Sequence, residues 1–150
     1  MNYLANESEE TVEKVTDVVN ACVAINSELN ETLMQRLVLK LIKMQCEVVK
    51  ADAFLLTELI ESTETEIKTF CNRKDIPDGC IPIEIDMVCG YFYREKVSTG
   101  QQDGCISVKS ITEGDTSTTF NTSKNTHDSL ISSLIDEGRK RLCHFRKLRY

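Results

Sequence analysis

The sequence has little of several residue types and motifs that mark familiar classes of protein. Among 150 residues it has no Trp, two Pro and six Gly. The glycines are dispersed and form neither a P-loop nor a G-x-G-x-x-G motif, so nucleotide binding has no support. No apolar run approaches the roughly 20 residues of a membrane span, and the first residues lack the basic-then-apolar order of a signal peptide. We therefore expect a soluble, cytosolic protein.

The cysteines lack the spacing of a metal site or of a disulfide framework. Their number is odd and no C-x-x-C occurs. Zinc sites favour close ligand pairs, and disulfide scaffolds favour even counts in secreted proteins. We expect reduced thiols scattered through a core, without a metal or another cofactor. The seven are Cys22, Cys46, Cys71, Cys80, Cys89, Cys105 and Cys143.

Catalytic groupings are also missing. His127 and His144 are the only histidines, and neither has an acid and a nucleophile identifiable as partners. Glu84 and Asp86 are close in sequence, but side chains two apart on a helix do not face each other. The sequence therefore predicts a protein that is not an enzyme, with His127 in the first turn of a helix and His144 on a basic surface.

What the sequence does have is an uneven distribution of charge. The net charge is −6, from 24 acidic and 18 basic side chains. Residues 1–31 contain seven acids and one base, whereas residues 138–150 contain six bases and no acid. Such asymmetry favours contact with other surfaces, a second copy of the chain included. The alternative is two solvated faces, with the basic segment complementing the C-terminus of a helix.

Apolar spacing predicts helices along most of the chain. Helical periodicity extends over residues 8–29, 31–48 and 52–72, and Asn30 and Asp52 are suitable N-caps. Pro82 suits the first turn of another helix, because its missing N–H would have no partner there. A last helix is predicted to begin near Thr126 or Asp128, and Gly138 within it favours a bend or an early end.

Between the last two helices the pattern changes to that of strands. Residues 105–120 carry β-branched, Ser and Thr residues on both sides of a glycine-containing turn, which is a hairpin signal. We predict a mainly α protein, a small helical bundle with one protruding β-hairpin at about 105–120. Its divisions are an acidic helical extension (1–30), a helical domain (31–145) and a basic tail (146–150).

Several blocks of sequence follow one another in a known order from about Asp52 onward. The most distinctive is Ser-Ile-Thr-Glu-Gly-Asp-Thr-Ser at 110–117, with Phe120 after it. The others are 55–62 with 67–73, then 76–79, 87–94 and the aromatic-Arg-Lys segment 145–149. In this order they resemble the head–tail connector (adaptor or head-completion) proteins of tailed bacteriophages and prophages. The resemblance covers about two-thirds of the chain, and residues 1–30 look like an addition to it.

The resemblance implies a structural protein without catalytic activity. Such proteins assemble into a ring, commonly of twelve copies, under the portal of the phage head, where the ring extends the DNA channel and offers a platform to the next neck or tail protein. The expected partners are the portal protein, neighbouring copies, that next protein, and passing DNA without sequence recognition. The expected location is the host cytoplasm during assembly and then the neck of the virion.

Two sets of residues are predicted to make these contacts. A ring of head-to-tail contacts needs two complementary surfaces on each subunit, and aromatic and Arg residues are favoured at the centre of interfaces. We predict that a docking tail binds the portal and that the hairpin lies on the adjacent copy. The docking tail is Phe145, Arg146, Lys147, Leu148, Arg149 and Tyr150. The hairpin residues are Val108, Ser110, Ile111, Thr112, Glu113, Gly114, Asp115 and Phe120.

One alternative function stays open at this point. A small helical regulatory or interaction protein would bind its partner through the basic last helix. Its mark would be a helix-turn-helix pair with basic residues on the second helix, and no such pair is evident in the sequence.

Overall fold

The structure is a computed structural model that describes residues 2–100 and 116–148, with side chains described from His127 onward in the second range. It is mainly helical, as predicted, and the described residues contain no strand. The five α-helices are α1 (Glu9–Ile25), α2 (Glu31–Lys43), α3 (Ala53–Cys71), α4 (Ile81–Ser98) and α5 (Thr116–Leu142). Short 3-10 turns occupy Lys50–Asp52, Asp78–Cys80 and Cys143–Phe145.

Helix α1 lies in the segment predicted to be an acidic extension. The Ser8 hydroxyl caps it by accepting a hydrogen bond from the Thr11 N–H at 3.3 Å. Glu9 and Glu10 occupy the first turn, where the helix dipole favours negative charge. The inward face of α1 is fully apolar and packs against α2 and α3 within the main core. Its buried residues are Val15, Val18, Val19 and Cys22.

Two predicted caps start the next helices in different ways. The Asn30 side chain accepts hydrogen bonds from the first backbone N–H groups of α2, as predicted. Asp52 stands at the N-cap of α3, but its carboxylate makes no cap bond with that helix. It accepts instead from the Val49 N–H at 2.9 Å and pairs with Lys96 at 2.8 Å. This largely buried ion pair joins the start of α3 to the end of α4.

Helices α4 and α5 make the most extensive contact in the bundle, and two glycines allow their close approach. Pro82 lies in the first turn of α4, as predicted. A Cβ at Gly90 would lie 2.7 Å from Ile135 Cγ1, and one at Gly138 would lie 2.8 Å from Met87 Cγ. The prediction that Gly138 shortens the last helix is wrong, because α5 continues past it to Leu142. Gly138 serves instead as a point of close packing.

The region of the predicted hairpin is only partly described. Residues 101–115 lie outside the described residues, so the hairpin stays a prediction there. Helix α5 begins at Thr116, before the predicted start near Thr126 or Asp128, and its range includes Phe120. His127 consequently lies well inside the helix rather than in its first turn.

The buried side chains form two hydrophobic clusters. The larger cluster joins α1, α2, α3 and one face of α4, which contributes Ile85, Val88, Cys89, Phe92 and Tyr93. The smaller cluster joins the last turns of α3, the start of α4 and the end of α5, and it includes Ile67, Met87 and Leu142. Five of the seven cysteines are buried free thiols, which confirms that they lie in the core, whereas Cys143 is exposed and Cys105 lies outside the described residues.

Candidate functional site

The docking tail, as far as the structure describes it, crosses the C-terminal end of α3. Helix α5 ends at Leu142, which is fully buried, and one 3-10 turn leads through Phe145 to Arg146, Lys147 and Leu148. Arg149 and Tyr150 lie outside the described residues. The segment sits beside α3 and not beyond the end of α5, so two helix ends meet at this place.

The end of α3 has a geometry that leaves one carbonyl available to the tail. Asn72 adopts the left-handed conformation, with φ 53°, and terminates the helix. The Arg73 N–H donates to the Lys68 carbonyl at 2.9 Å and the Asn72 N–H donates to the Thr69 carbonyl at 3.3 Å, which is the Schellman arrangement. These bonds satisfy earlier carbonyls of the last turn and leave that of Cys71 for another donor.

Three hydrogen bonds fix the main chain of the tail. The Lys147 N–H donates to the Cys71 carbonyl at 2.8 Å. The Arg73 Nε–H donates to the Phe145 carbonyl at 2.7 Å, and the Asn72 side-chain amide donates to the Lys147 carbonyl at 3.4 Å. Because all three use backbone groups of the tail, the path of the segment depends little on the side chains at positions 146 and 147.

Two aromatic contacts complete the anchor. The Phe145 ring packs into the smaller cluster and lies so close to Gly79 that a Cβ there would be 2.8 Å from the ring. The Arg146 guanidinium lies 5.6 Å from the centroid of the Phe70 ring, within range of a cation–π interaction. Between tail and helix runs a shallow cleft of about 450 Å³, lined by Thr69, Phe70, Asn72, Arg146, Lys147 and Leu148.

The charges of the basic segment divide into two groups. Arg139 pairs with Glu66 at 2.7 Å, Lys140 pairs with Glu137 at 2.9 Å, and Arg141 pairs with Asp86. No carboxylate within the described ranges pairs with Arg146 or Lys147. Arg139, Lys140 and Arg141 are therefore balanced by acids of the chain, whereas the described cations of the tail, Arg146 and Lys147, are exposed.

The Arg139 pair belongs to a small network between three helices. The Tyr91 hydroxyl donates to Glu66 at 2.7 Å and accepts from Arg139 at 2.9 Å. Burial, followed by the bond to Glu66, raises the pKa of Tyr91, and the bond to Glu66 raises the pKa of Arg139. Both groups stay protonated near neutral pH, so the network holds the end of α5 against α3 and α4.

The predicted site residues are thus brought together only in part. Arg146, Lys147 and Leu148 are consecutive and exposed, with Leu148 69% exposed, whereas the Phe145 ring packs into the smaller cluster. The hairpin residues from Val108 to Asp115 lie outside the described residues, and nothing is described of the Phe120 side chain within α5. The contact predicted between hairpin and adjacent copy stays a prediction.

Sequence reasoning missed the residues that hold the tail. Arg73 and Asn72 stand in a segment that reads only as a turn, and the Cys71 carbonyl has no side-chain signature at all. One signal was present: Asn after a predicted helix favours a left-handed C-cap. The hydrogen bonds from Asn72 and Arg73 to the tail join residues more than 70 positions apart, and no local sequence pattern encodes such a contact.

The histidines take different positions. His127 is buried, and its Nδ1 is hydrogen bonded to the Tyr93 hydroxyl, so it belongs to the core between α4 and α5. His144 is exposed beside the docking tail, as predicted. Within the part of the chain that the structure covers, no group of three or more His, Cys, Asp or Glu side chains is arranged to hold a metal ion. No helix there is long and apolar enough to cross a membrane.

Comparisons with known proteins leave the family open. No family model, no curated protein and no solved structure matches the chain.

Proposed function

We propose that this chain is a structural neck protein of a tailed phage or prophage, which forms an oligomeric ring under the portal, extends the DNA channel and links head to tail. The proposal starts from the order of the sequence blocks that resemble connector proteins. It is supported by the helical bundle and, above all, by the anchored tail. A docking segment with a fixed main chain and outward-facing side chains suits a protein whose task is attachment.

The observation that carries the proposal is the way in which the tail is held. Its backbone is bonded to the end of α3, while Arg146, Lys147 and Leu148 are exposed. Fixing a segment before it binds lowers the entropy lost on association. Two cations that no described carboxylate neutralises, beside an exposed aliphatic side chain, fit a partner pocket that is apolar and rimmed by acids. We assign that pocket to the portal protein.

The experiment must separate binding from folding. Removing Phe145 would take away part of the smaller cluster, so deletion of the whole docking tail is a poor test. Lys147→Glu and Leu148→Asp alter only exposed side chains and keep the Lys147 N–H that bonds to Cys71. The portal protein encoded by the same genome is purified as rings, and binding to them is measured by biolayer interferometry. Each variant should bind these rings about tenfold or more weakly than the wild type.

A matched control is available on α5. Lys140 is exposed and already paired with Glu137, so Lys140→Glu makes the same change of charge outside the docking tail. We expect this control to bind portal rings as the wild type does. Equal binding by wild type, Lys147→Glu and Leu148→Asp would contradict the assignment of the tail to the portal.

The channel is the second part of the proposal. Residues 1–31 carry seven acids and one base, and an acidic wall repels phosphate, so DNA would slide past without adhering. Binding of the assembled ring to duplex DNA that weakens with salt would contradict a passive acidic channel.

The alternative, an interaction protein that binds through its basic last helix, has less support. Arg139, Lys140 and Arg141 are the bases of α5 that such a partner would contact, and each one is paired with an acid of the chain itself. A partner would have to replace these ion pairs before it gained any of its own.

A further inference from the structure

One end of the bundle exposes an apolar patch. Phe54 is 65% exposed, Ile25 48% and Val49 40%, and these are three of the four large hydrophobic side chains exposed among the described residues. A lone exposed apolar residue is ordinary, but several together mark a binding surface. We refer to these three residues as the Phe54 patch.

The members of the patch stand on segments that meet, because α1 ends where α3 begins. The Cys22 thiol lies 3.7 Å from the Ala53 carbonyl, and the Asn26 side chain donates to Glu61 at 2.8 Å. Ile25 lies in sequence between Cys22 and Asn26, and Phe54 is the residue after Ala53. Val49 is fixed to the same end by the bond from its N–H to Asp52.

Acids border the patch on the side of α3. Glu58 and Glu61 follow Phe54 at helical spacing and are exposed on the same stripe as its ring. Within the described residues no base pairs with Glu58, and Glu61 is bonded only to the neutral Asn26. The patch is therefore an aromatic projection with negative charge beside it.

A groove of the opposite character lies between α2 and α4. It has a volume of about 300 Å³, and its lining includes the apolar Leu39, Pro82 and Ile85 together with Tyr3 and one acid, Asp86. The cations Arg36, Lys40 and Lys43 line it as well. We refer to this feature as the α2–α4 groove.

The charge of the groove is not fully balanced. Lys43 pairs with Glu7 at 2.6 Å and Lys40 pairs with Asp86. Arg36 stacks on the Tyr3 ring at 5.1 Å from its centroid, and no carboxylate of the described residues pairs with it. An aromatic side chain that enters this groove with an acid beside it would find apolar side chains and, in Arg36, a cation that no described carboxylate neutralises.

The two features lie near opposite ends of α4. Lys96, near its end, pairs with Asp52 beside the Phe54 patch, whereas Asp86, near its start, pairs with Lys40 in the groove. At 1.5 Å per residue these two points of α4 are about 15 Å apart. One copy therefore cannot place its own Phe54 in its own groove.

From this complementarity we propose that the Phe54 patch of one copy occupies the α2–α4 groove of a second copy, with Glu58 beside Arg36. The contact joins two different surfaces of the same chain, so it is heterologous and propagates from copy to copy until a ring closes. It rests on the proposed function in that it names the contact between subunits of the ring, and it uses neither the docking tail nor the hairpin.

Sedimentation velocity over a range of concentrations tests the contact on the full chain. We expect the wild type to associate in a concentration-dependent way, and Phe54→Ser and Arg36→Glu each to weaken association by about tenfold or more. Lys140→Glu, an exposed change on α5, which contributes to neither surface, is the control and should associate as the wild type does. A wild type that stays monomeric up to about 1 mM, the range of the weakest specific affinities, overturns the proposal.

Mixing the variants identifies the surfaces as partners. Phe54→Ser keeps an intact groove and Arg36→Glu keeps an intact patch, so the two together have one working contact and should form a dimer that grows no further. The charge exchange Glu58→Arg with Arg36→Glu in one chain should restore association that Arg36→Glu alone has lost. Absence of the dimer in the mixture, or of rescue by the exchange, overturns the pairing.

The portal assay separates this proposal from the proposed function. Phe54→Ser leaves the docking tail intact, so single copies should still bind portal rings. Loss of self-association with portal binding retained supports both proposals. Self-association that depends on Phe54 in a chain that does not bind portal would overturn the portal assignment alone.

Discussion

The larger and the smaller hydrophobic clusters hold their helices together in different ways. The larger one, between α1, α2, α3 and α4, consists mostly of aliphatic side chains that repeat at helical spacing, with Phe92 and Tyr93 among them. The smaller one, at the end of α3, brings backbones close together at glycines and lies beside a buried carboxyl group. Repeated packing of apolar side chains therefore forms the body of the bundle. Close contacts at individual glycines position the end that carries the docking tail.

The buried carboxyl group is that of Glu84 on α4, which is 2% exposed. Its Oε1 has no hydrogen-bond partner among the described residues, and neither has the Oγ1 of buried Thr63. Burial, and then the charge of Glu64, raises the pKa of Glu84 to about 8. Ionisation of such a buried group weakens the fold. Aliphatic side chains, which make up most of the larger cluster, have no group that can ionise.

The largest expected effect tests whether the smaller cluster is a core at all. Leu56→Ala in the larger cluster and Leu142→Ala in the smaller one each remove a fully buried side chain and should lower the free energy of unfolding by about 2–5 kcal/mol. Urea denaturation measures both. Exposed Leu148→Ala is the control, and a Leu142→Ala cost no larger than this control would show that the smaller cluster contributes little to stability.

A smaller effect is expected from the glycine contacts. A Cβ at Gly90 would be 2.7 Å from Ile135 Cγ1 and 3.0 Å from Leu134 Cβ, an atom that the backbone fixes. We expect Gly90→Ala to lower stability by about 1–2 kcal/mol, after allowing for the better helix propensity of Ala. Gly138→Ala meets the flexible Met87 side chain and should be nearly neutral. Equal thermal unfolding midpoints for both variants would contradict a rigid contact at Gly90.

The next effect is a pH dependence of stability, which we expect from Glu84 beside the smaller cluster. Because the pKa of Glu84 in the folded state is raised from 4.5 to about 8, the contribution of Glu84 to stability is greatest below pH 4.5 and is lost as the pH rises toward 8. Glu84→Gln removes this loss and should be more stable than the wild type at pH 8, by about 1–2 kcal/mol. Exposed Glu58→Gln is the control. Parallel stability–pH curves for wild type and Glu84→Gln between pH 5 and 8 would be the contrary result.

The smallest expected effect concerns the hold on the docking tail. Arg73→Met removes the bond to the Phe145 carbonyl but keeps most of the side-chain length, so it should lower stability by only about 0.5–1.5 kcal/mol. Exchange of the Lys147 amide hydrogen should become clearly faster, because its bond to Cys71 depends on the same anchor. Lys74→Met, one residue further on and exposed, should leave that exchange rate unchanged.

The same two clusters explain how far the sequence alone could be interpreted. Periodic apolar residues, the side-chain cap at Asn30 and the first-turn proline Pro82 are local signals, and they predicted α1 to α4 and thus most of the larger cluster. The role of Gly138 was predicted wrongly, because it depends on the contact with Met87 on another helix. The ion pairs of Arg139 and Arg141 could likewise not be predicted, since their acids lie on α3 and α4.

For the candidate site the sequence indicated the segment but not the way it is held. Charge asymmetry and the aromatic-Arg-Lys block pointed to residues 145–150. The bonds from Arg73, Asn72 and Cys71 depend on where α3 ends in space, and backbone acceptors have no sequence signature. The Phe54 patch was missed for a related reason: within a helical pattern, Phe54 cannot be told from a core residue until its neighbours are placed.

The bond between the Lys147 N–H and the Cys71 carbonyl also sets the path of mechanical load. A force applied at Leu148 would enter the bundle along the covalent chain into α5 and, through this bond and that of Arg73, into the end of α3 as well. Tension is then divided between two helices that the Tyr91–Glu66–Arg139 network already ties together. The docking tail is thus attached both to α5, by the covalent chain, and to the end of α3, by hydrogen bonds. A pull on the tail must break those hydrogen bonds before the whole load passes into α5.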